Sequence, residues 1–493
     1  MVNVESEFPR LRFGLVLLII ASSLSAGETE NDYYRITTLP IPKNLQLEVS
    51  GIAAMPDGRI AVCVRRGEVW LIENAGGASD KVRYKRFASG LHEPLGLTWH
   101  KGALYTVQRS EVTKLIDRDG NDEADQYTTA ARGWGVSGNY HEYAYGPVFD
   151  PKGNMYVTLN ATIGNAVTTD RNWRGWSLRF TPNGTMQPVS AGMRSPIGIA
   201  TNHAGDVFGA DHQGNWFPTC PLYHIRDGVF HGHADALKFC DLPGASFEHP
   251  GKIKTGMTVG EAAQAIKPYV LPAVWFPYRK MGTGSTGIVC DTTAGRFGPF
   301  ENQLFVGDFS TAMISRVFLE KVGGEYQGAC FPFREGFDCG VVSLAFGRDG
   351  SMFVGETNRG WNSVGSRSFG LQRLEWSGQT PFEVKAMRAR PDGFEIEFTH
   401  SVDRTSASAS RSYSMSSYTY PYHSRYGGDE INIRKLNVIK ATIAADRRHV
   451  HLNVEGLRAS FVHELHLSGV RSSTGGNLLH DRAYYTLNRI PAR

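Results

Sequence analysis

One short unit recurs along this chain: a small residue, an apolar strand, a turn resembling Pro-Asp-Gly, then a second apolar strand. Copies run Gly51–Val64, Pro94–Val107, Gly146–Leu159, Pro196–Ala210, Thr286–Gly307 and Val341–Gly355. Each turn carries Gly, Asp or Asn, where positive φ or bonding of a side chain to the backbone is needed. The strands after the turns alternate, as at Ile60, Val62 and Val64 and at Met155, Val157 and Leu159. That is the period of a strand, not of a helix. The copies lie roughly 43 to 55 residues apart, with one interval near 90, the spacing of propeller blades built from four short strands. The expected fold is all-β, a six-bladed β-propeller. A many-stranded sandwich competes, but it does not need the same turn six times. The long interval implies an insertion at about residues 215–285, with a short helix at Glu261–Ile266. A strand within Asp32–Ser50 would pair with Gly370–Trp376 and close the ring.

The repeats place the propeller at residues 32–378. Ahead of it, Arg10 and Arg12 precede the apolar run Phe13–Ala21, and small residues follow near Ser25–Gly27. Residues 1–26 therefore read as a signal peptide, with an uncleaved anchor as the alternative. The apolar run is too short to span a bilayer. The mature protein is expected to be secreted or periplasmic, with no transmembrane span. The pattern changes at Gly378–Pro381. Alternating strands in Pro381–Asp403, Lys435–Leu457 and Phe461–Leu479 imply a separate immunoglobulin-like β-sandwich over residues 379–493. The Ser/Tyr-rich span Ser406–Tyr426 offers either a contact surface or ordinary exposed aromatics.

A net charge of +4 with no basic run gives no argument for nucleic acid as a partner. The six cysteines form no CxxC, which excludes a zinc ribbon, a thioredoxin motif and c-type haem. In an oxidising compartment Cys330–Cys339 and Cys220–Cys240 are candidate disulfides. Cys63 and Cys290 lie in apolar strands and read as buried.

Several stretches carry chemistry. In Ile116–Tyr127, Asp117, Asp119, Asn121 and Asp125 fall at alternating positions of a calcium loop, and Glu123 offers its carbonyl. The loop lacks the Glu at position 12, so it reads as a truncated Ca²⁺ loop or as a solvated acidic turn. His141 stands in Gly138–Pro147 among Tyr140, Glu142, Tyr143 and Tyr145, just ahead of the third unit. Such loops open on a propeller's channel, where ligands bind. Arg194 holds the equivalent place before the fourth unit. The stretch Ala210–Phe239 is dense in polar and aromatic groups. With Tyr140, the residues Asp211, His212, Trp216, His231 and His233 suit a substrate cleft, and His231-x-His233-x-Asp235 also has the alternation of a metal site. Arg279 and Lys280 precede the fifth unit and Thr357–Ser368 follows the sixth. These read as channel-mouth or plain surface loops.

At His141 and Arg194 the chain resembles the glucose/sorbosone dehydrogenase propellers, soluble sugar dehydrogenases that use pyrroloquinoline quinone (PQQ) and calcium. It is similar also to the sugar-dehydrogenase-like proteins of planctomycetes, often fused to a c-type cytochrome. The resemblance implies that His141 is the general base on a sugar hydroxyl, with hydride passing to the quinone. It implies that Arg194 and Gln213 contact the cofactor, Arg194-Ser195-Pro196 standing where the family has Arg-Asn-Pro. A separate electron acceptor such as a cytochrome c would be the partner, and a carbohydrate the substrate. Two departures stand out. Phe309, Ser310 and Thr311 occupy the place of the family's cofactor Lys, and Gly340–Val342 the place of its paired Arg residues. A glycan- or partner-binding propeller without PQQ is therefore the alternative, followed by a calcium-dependent lactonase-type hydrolase.

Overall fold

The computed structural model describes residues 28–164 and 172–492. The expected signal peptide lies outside the described residues. Each repeat copy folds as two neighbouring antiparallel strands. They are Val49–Ala54 with Ile60–Val64, Leu97–His100 with Ala103–Val107, Ala144–Phe149 with Met155–Leu159, Gly198–Thr201 with Val207–Ala210, Ser285–Cys290 with Leu304–Asp308, and Val341–Phe346 with Met352–Thr357. Five of these pairs head separate sheets of four or five strands, the blades of a β-propeller. The pair at Ser285–Asp308 runs on through Met313–Val322 and Glu325–Arg334 into the C-terminal strands, making one eleven-stranded ladder.

The first strand of every pair lines a central channel of about 480 Å³, with Ile52, Trp99, Phe149, Asn202, Cys290 and Leu344 among its walls. Neighbouring inner strands meet backbone to backbone. A Cβ on Gly96, whose φ is +131°, would collide with the Gly146 carbonyl, and one on Gly198 with the Thr286 carbonyl. This close approach is why the repeat has a small residue in its first strand. The ring is closed as the sequence implies: Tyr34–Thr38 pairs with Phe369–Trp376, Tyr34 opposite Trp376.

The long interval is spent on the neighbouring blade. Val229–Phe230 adds a parallel fifth strand beside Met186–Ala191. Only afterwards does Val274–Phe276 complete the fourth blade, against Cys220–Ile225. Between them lies the expected short helix, Val259–Ala265, capped by Thr258, whose hydroxyl accepts from the Glu261 N–H.

The C-terminal strands, expected as a separate domain, are tied to the propeller edge to edge. Arg482–Leu487 pairs with Phe461–His466 on one side and with Glu325–Arg334 on the other. Ile431–Ile443 pairs first with Ser414–Thr419, as far as Leu436, and from Asn437 onward with His449–Glu455, a pairing with an irregularity at Val438–Lys440. Its Leu436, Val438 and Ala441 thus share one core with Phe394, Leu452 and Tyr485. All six cysteines are buried and free, so neither expected disulfide forms. Cys330 lies mid-strand against the carbonyls of Trp275 and Tyr484, while the Cys339 backbone is bonded to Glu356. Among the described residues no helix is long and apolar enough to cross a membrane.

Candidate functional site at the propeller mouth

One device recurs at one end of the channel. A polar side chain at the end of a blade's second strand holds the loop that leads into its first. Gln108 accepts the His92 N–H, and Asn160 Nδ2 donates to the His141 carbonyl at 2.8 Å. Asp211 accepts from the N–H groups of Arg194 and Ser195 at 2.7 and 2.6 Å. Asp308 accepts from those of Thr283 and Gly284, both at 2.7 Å, and Glu356 from that of Cys339 at 2.9 Å. Carboxylates bonded to backbone donors fix these loops firmly. Asp211, expected in a substrate cleft, is therefore a buried clamp, also bonded to the His212 N–H and the Tyr223 hydroxyl. Burial pushes its carboxyl upward against those bonds.

The clamped loops bring His141, Tyr140, Arg194 and His212 to the mouth. His141 is exposed. Partial desolvation, then the nearby charges of Arg194 and Arg109, hold its imidazole below the usual range, so it is neutral at pH 7. The Tyr140 ring stands edge-on to His141 at 5.3 Å. Its hydroxyl accepts from Arg65 at 3.1 Å. Arg194 is buried, with its guanidinium packed against Gly214, where a Cβ would overlap it. Its Nε has no hydrogen-bond partner, and neither has the buried His212 Nε2. Burial, followed by the charge of Arg194, pushes His212 down to about 4. A side chain absent from the sequence-based set covers Arg194: the Tyr426 ring, centred 5.3 Å from the guanidinium carbon. Tyr426 comes from the C-terminal region. Its loop is seated by Gly427 N–H on the Gly214 carbonyl (3.0 Å), Gly428 N–H on the Pro218 carbonyl (3.0 Å) and Asn215 Nδ2 on the Ser424 carbonyl (3.1 Å). Its one sequence signal was membership of the Ser/Tyr-rich span.

The other expected site residues have partners within the fold. Gln213 Nε2 donates to the Pro218 carbonyl at 2.9 Å, and a Cβ on Gly427 would stand 2.9 Å from that nitrogen. Trp216 packs on Tyr422, with ring centres 5.3 Å apart. His231 and His233 are buried behind the mouth. His231 Nε2 sits 3.1 Å from Ser190 Oγ, and its ring stacks on Tyr223 at 4.4 Å. Burial pushes both imidazoles down to about 3. Among the described residues they join no cluster of metal-ligating side chains. Asp117, Asp119 and Asp125 do converge, with carboxylate oxygens within 4.8 Å of one another. Their turn joins Glu111–Ile116 to Gln126–Arg132, at the end of the blade remote from the mouth. There Asp117 accepts from the N–H groups of Gly120 and Asp122, Asn121 bonds to Asp119, and Glu123 N–H bonds to Asn121.

PQQ carries three carboxylates and needs several converging cations. After Leu304–Asp308, Thr311 caps Asp308 instead. Ahead of Val341–Phe346, a Cβ on Gly340 would press on the Phe309 carbonyl. Arg65, Arg66 and Arg359 line a separate concavity with Glu93, which Arg194 does not line, so these cations do not converge with Arg194. Arg194 donates from Nη1 to Ser195 Oγ at 3.4 Å, its buried Nε has no partner, and Tyr426 lies over it. The residues present do not fit PQQ.

Residues 62–331 match DUF7133, a domain of unknown function. The chain belongs to that family. No curated protein matches it. Among solved structures, this DUF7133 chain is similar to an oxidoreductase of Thermus thermophilus described as a glucose dehydrogenase, at 18% identity over 69% of this chain and 99% of that one, with a TM-score of 0.49. It is similar also to the PQQ-bound aldose sugar dehydrogenase of Streptomyces coelicolor (15%, 69% and 98%, TM-score 0.47). The soluble aldose sugar dehydrogenase of Escherichia coli is a third (14%, 69% and 99%, TM-score 0.47). None of these likenesses carries chemistry to this chain, whose site rests on its own residues.

Proposed function

We propose that this sugar-dehydrogenase-like propeller binds carbohydrate at its mouth. The observation that carries this reading is the placement of exposed rings. Among the described residues five Tyr, Trp or Phe side chains are exposed, and four of them, Tyr140, Tyr278, Trp361 and Tyr426, stand on mouth loops. Trp361 is 70% exposed and Tyr426 62%. Aromatic faces stack on the C–H faces of sugar rings, while the hydroxyls need polar partners. Arg194 Nε and His212 Nε2 are buried beside these rings without partners. In this reading the strands from 285 to 334 count as one more blade, making six, and the C-terminal strands form an immunoglobulin-like sandwich that lends Tyr426 to the site. The N-terminal segment directs export.

Calorimetric titration of the mature protein with a panel of neutral and charged oligosaccharides tests this. Tyr426→Ala and Tyr140→Ala should each weaken binding about tenfold with unchanged melting. Failure of every saccharide to bind would sink the reading. A second reading, oxidation of a sugar hydroxyl with His141 as base, rests on the exposed neutral imidazole beside Arg194. It needs a bound electron acceptor other than PQQ. Loss of dye-linked turnover in His141→Ala, with sugar binding retained, would favour it.

A further inference from the structure

A second concavity opens beside Tyr140, of about 470 Å³, lined by Arg65, Arg66, Leu91, His92, Glu93 and Arg359. It lies where the turn after Ile60–Val64 meets the loop into the second blade and the loop after Met352–Thr357. Its charges do not cancel. Glu48 is shared by Arg66 at 3.2 Å and Arg359 at 2.7 Å. Glu93 is shared by Arg65 and Arg109. Two carboxylates thus face four guanidinium groups. The pocket joins the aromatic rim directly. Arg65 donates to the Tyr140 hydroxyl, and Gly360 lies so close that a Cβ there would be 3.2 Å from that oxygen. Trp361 is the next residue. Further round the rim, exposed Arg279 and Arg425 adjoin Tyr278 and Tyr426, and among the described residues neither has a carboxylate partner.

Interleaved rings and under-neutralised arginines select a particular ligand. A neutral glycan would use the rings and leave the guanidinium groups idle. A bare polyanion would do the reverse. A sugar polymer carrying sulfate or carboxylate groups uses both, since a planar guanidinium matches either oxyanion in a two-pronged contact. We propose that the mouth binds an acidic polysaccharide, with sugar rings on Tyr140 and Trp361 and an acidic substituent in the pocket of Arg65, Arg66 and Arg359. This rests on the carbohydrate reading above and names its ligand class.

The test uses the full mature chain and labelled polymers of matched length: dextran sulfate, polygalacturonate and unmodified dextran, with polyphosphate as a ring-free polyanion. Fluorescence polarisation is read at low and physiological salt. At least one acidic glycan should bind tenfold or more tighter than dextran, and the stronger of the two assigns sulfate or carboxylate. Arg66→Ala with Arg359→Ala should remove most of that preference and leave dextran binding unchanged. Trp361→Ala should weaken both glycans. Arg359→Lys, which keeps the charge but not the two-pronged contact, should keep the fold and weaken the acidic glycan less than Arg359→Ala does. Equal affinity for acidic and neutral glycans would overturn the acidic assignment while the carbohydrate reading stands. No saccharide binding would overturn both. Polyphosphate binding as tight as the acidic glycan, insensitive to Trp361→Ala, would overturn the proposal in favour of a simple polyanion surface.

Discussion

The two ends of the channel are built by the same strands and do opposite things. At the end remote from the mouth most hairpin turns are short, and the channel stands open between Trp99, Phe149, Asn202 and Leu344. At the mouth, loops are longer, fixed by buried carboxylates and amides, and they carry the arginines and exposed rings. The lesson is sharpest where the two roles sit side by side. Asp211 and Arg194 are both buried at the mouth. Every donor around Asp211 is used in holding a loop, whereas Arg194 keeps an unmatched Nε. Saturated polar groups in a fold are structure; unsaturated ones are where a ligand is expected.

The largest effect should come from breaking the frame. Gly96→Val, which collides with the Gly146 carbonyl and cannot easily hold positive φ, should cost about 3 kcal/mol or more, read by urea unfolding. Gly102→Ala, also at positive φ but in open space, should cost only about 1 kcal/mol. Equal costs would mean that φ and not packing governs the inner ring.

Next in size is a charge cluster at the outer rim. His480 lies 2.9 Å from Glu30 and 2.5 Å from Glu383. Burial disfavours its cation, but Glu383 and Glu30 outweigh that and raise it to about 10. A group raised from an unfolded value of about 6.5 contributes its full stability below that pH and loses it as pH rises through about 10. The melting difference between wild type and His480→Gln should therefore be greatest near pH 6 and close towards pH 10. At neutral pH the loss should be roughly 3 kcal/mol. A difference that does not change with pH would remove the charge from the account.

Smaller again is the contrast within the mouth. Asp211→Asn should cost about 2 kcal/mol through its lost backbone bonds. Arg194→Ala should cost less than about 1 kcal/mol and instead weaken saccharide binding about tenfold. The reverse ranking would exchange their roles. Smallest is calcium at Asp117, Asp119 and Asp125. Millimolar Ca²⁺ should raise the melting temperature by about 2 °C through binding linkage, Asp119→Ala should abolish that rise, and saccharide affinity should not move, since the loop lies at the other end.

The frame was legible in the sequence because each copy of the repeat is local: its two strands and their turn are contiguous, and six copies reinforce one another. Ring closure by the N-terminal strand followed from the same logic. His141, Tyr140, Arg194 and His212 were legible because each sits just beside a repeat copy. Asp211, Gln213, Trp216, His231 and His233 were read from the density of their stretch alone, which could not show that each has partners inside the fold. Polar and aromatic density looks the same whether side chains face a cleft or are paired inside a loop, and only the partners distinguish them. Tyr426 could not be found, because more than 200 residues separate it from Arg194 in the chain. The disulfides failed for a related reason: closeness in sequence between Cys330 and Cys339 says nothing of which way a strand residue points.

The pairing of Arg482–Leu487 with Glu325–Arg334 also has a meaning in time. A chain emerging from a ribosome can assemble the ring once Phe369–Trp376 is free to meet Tyr34–Thr38. The flank at Glu325–Arg334 then stays bare until more than a hundred further residues have been made, with its backbone groups open to any passing strand. Arg482–Leu487 is the strand that seals it, so a nascent chain stalled or trimmed before residue 482 would be complete as a ring and still adhesive.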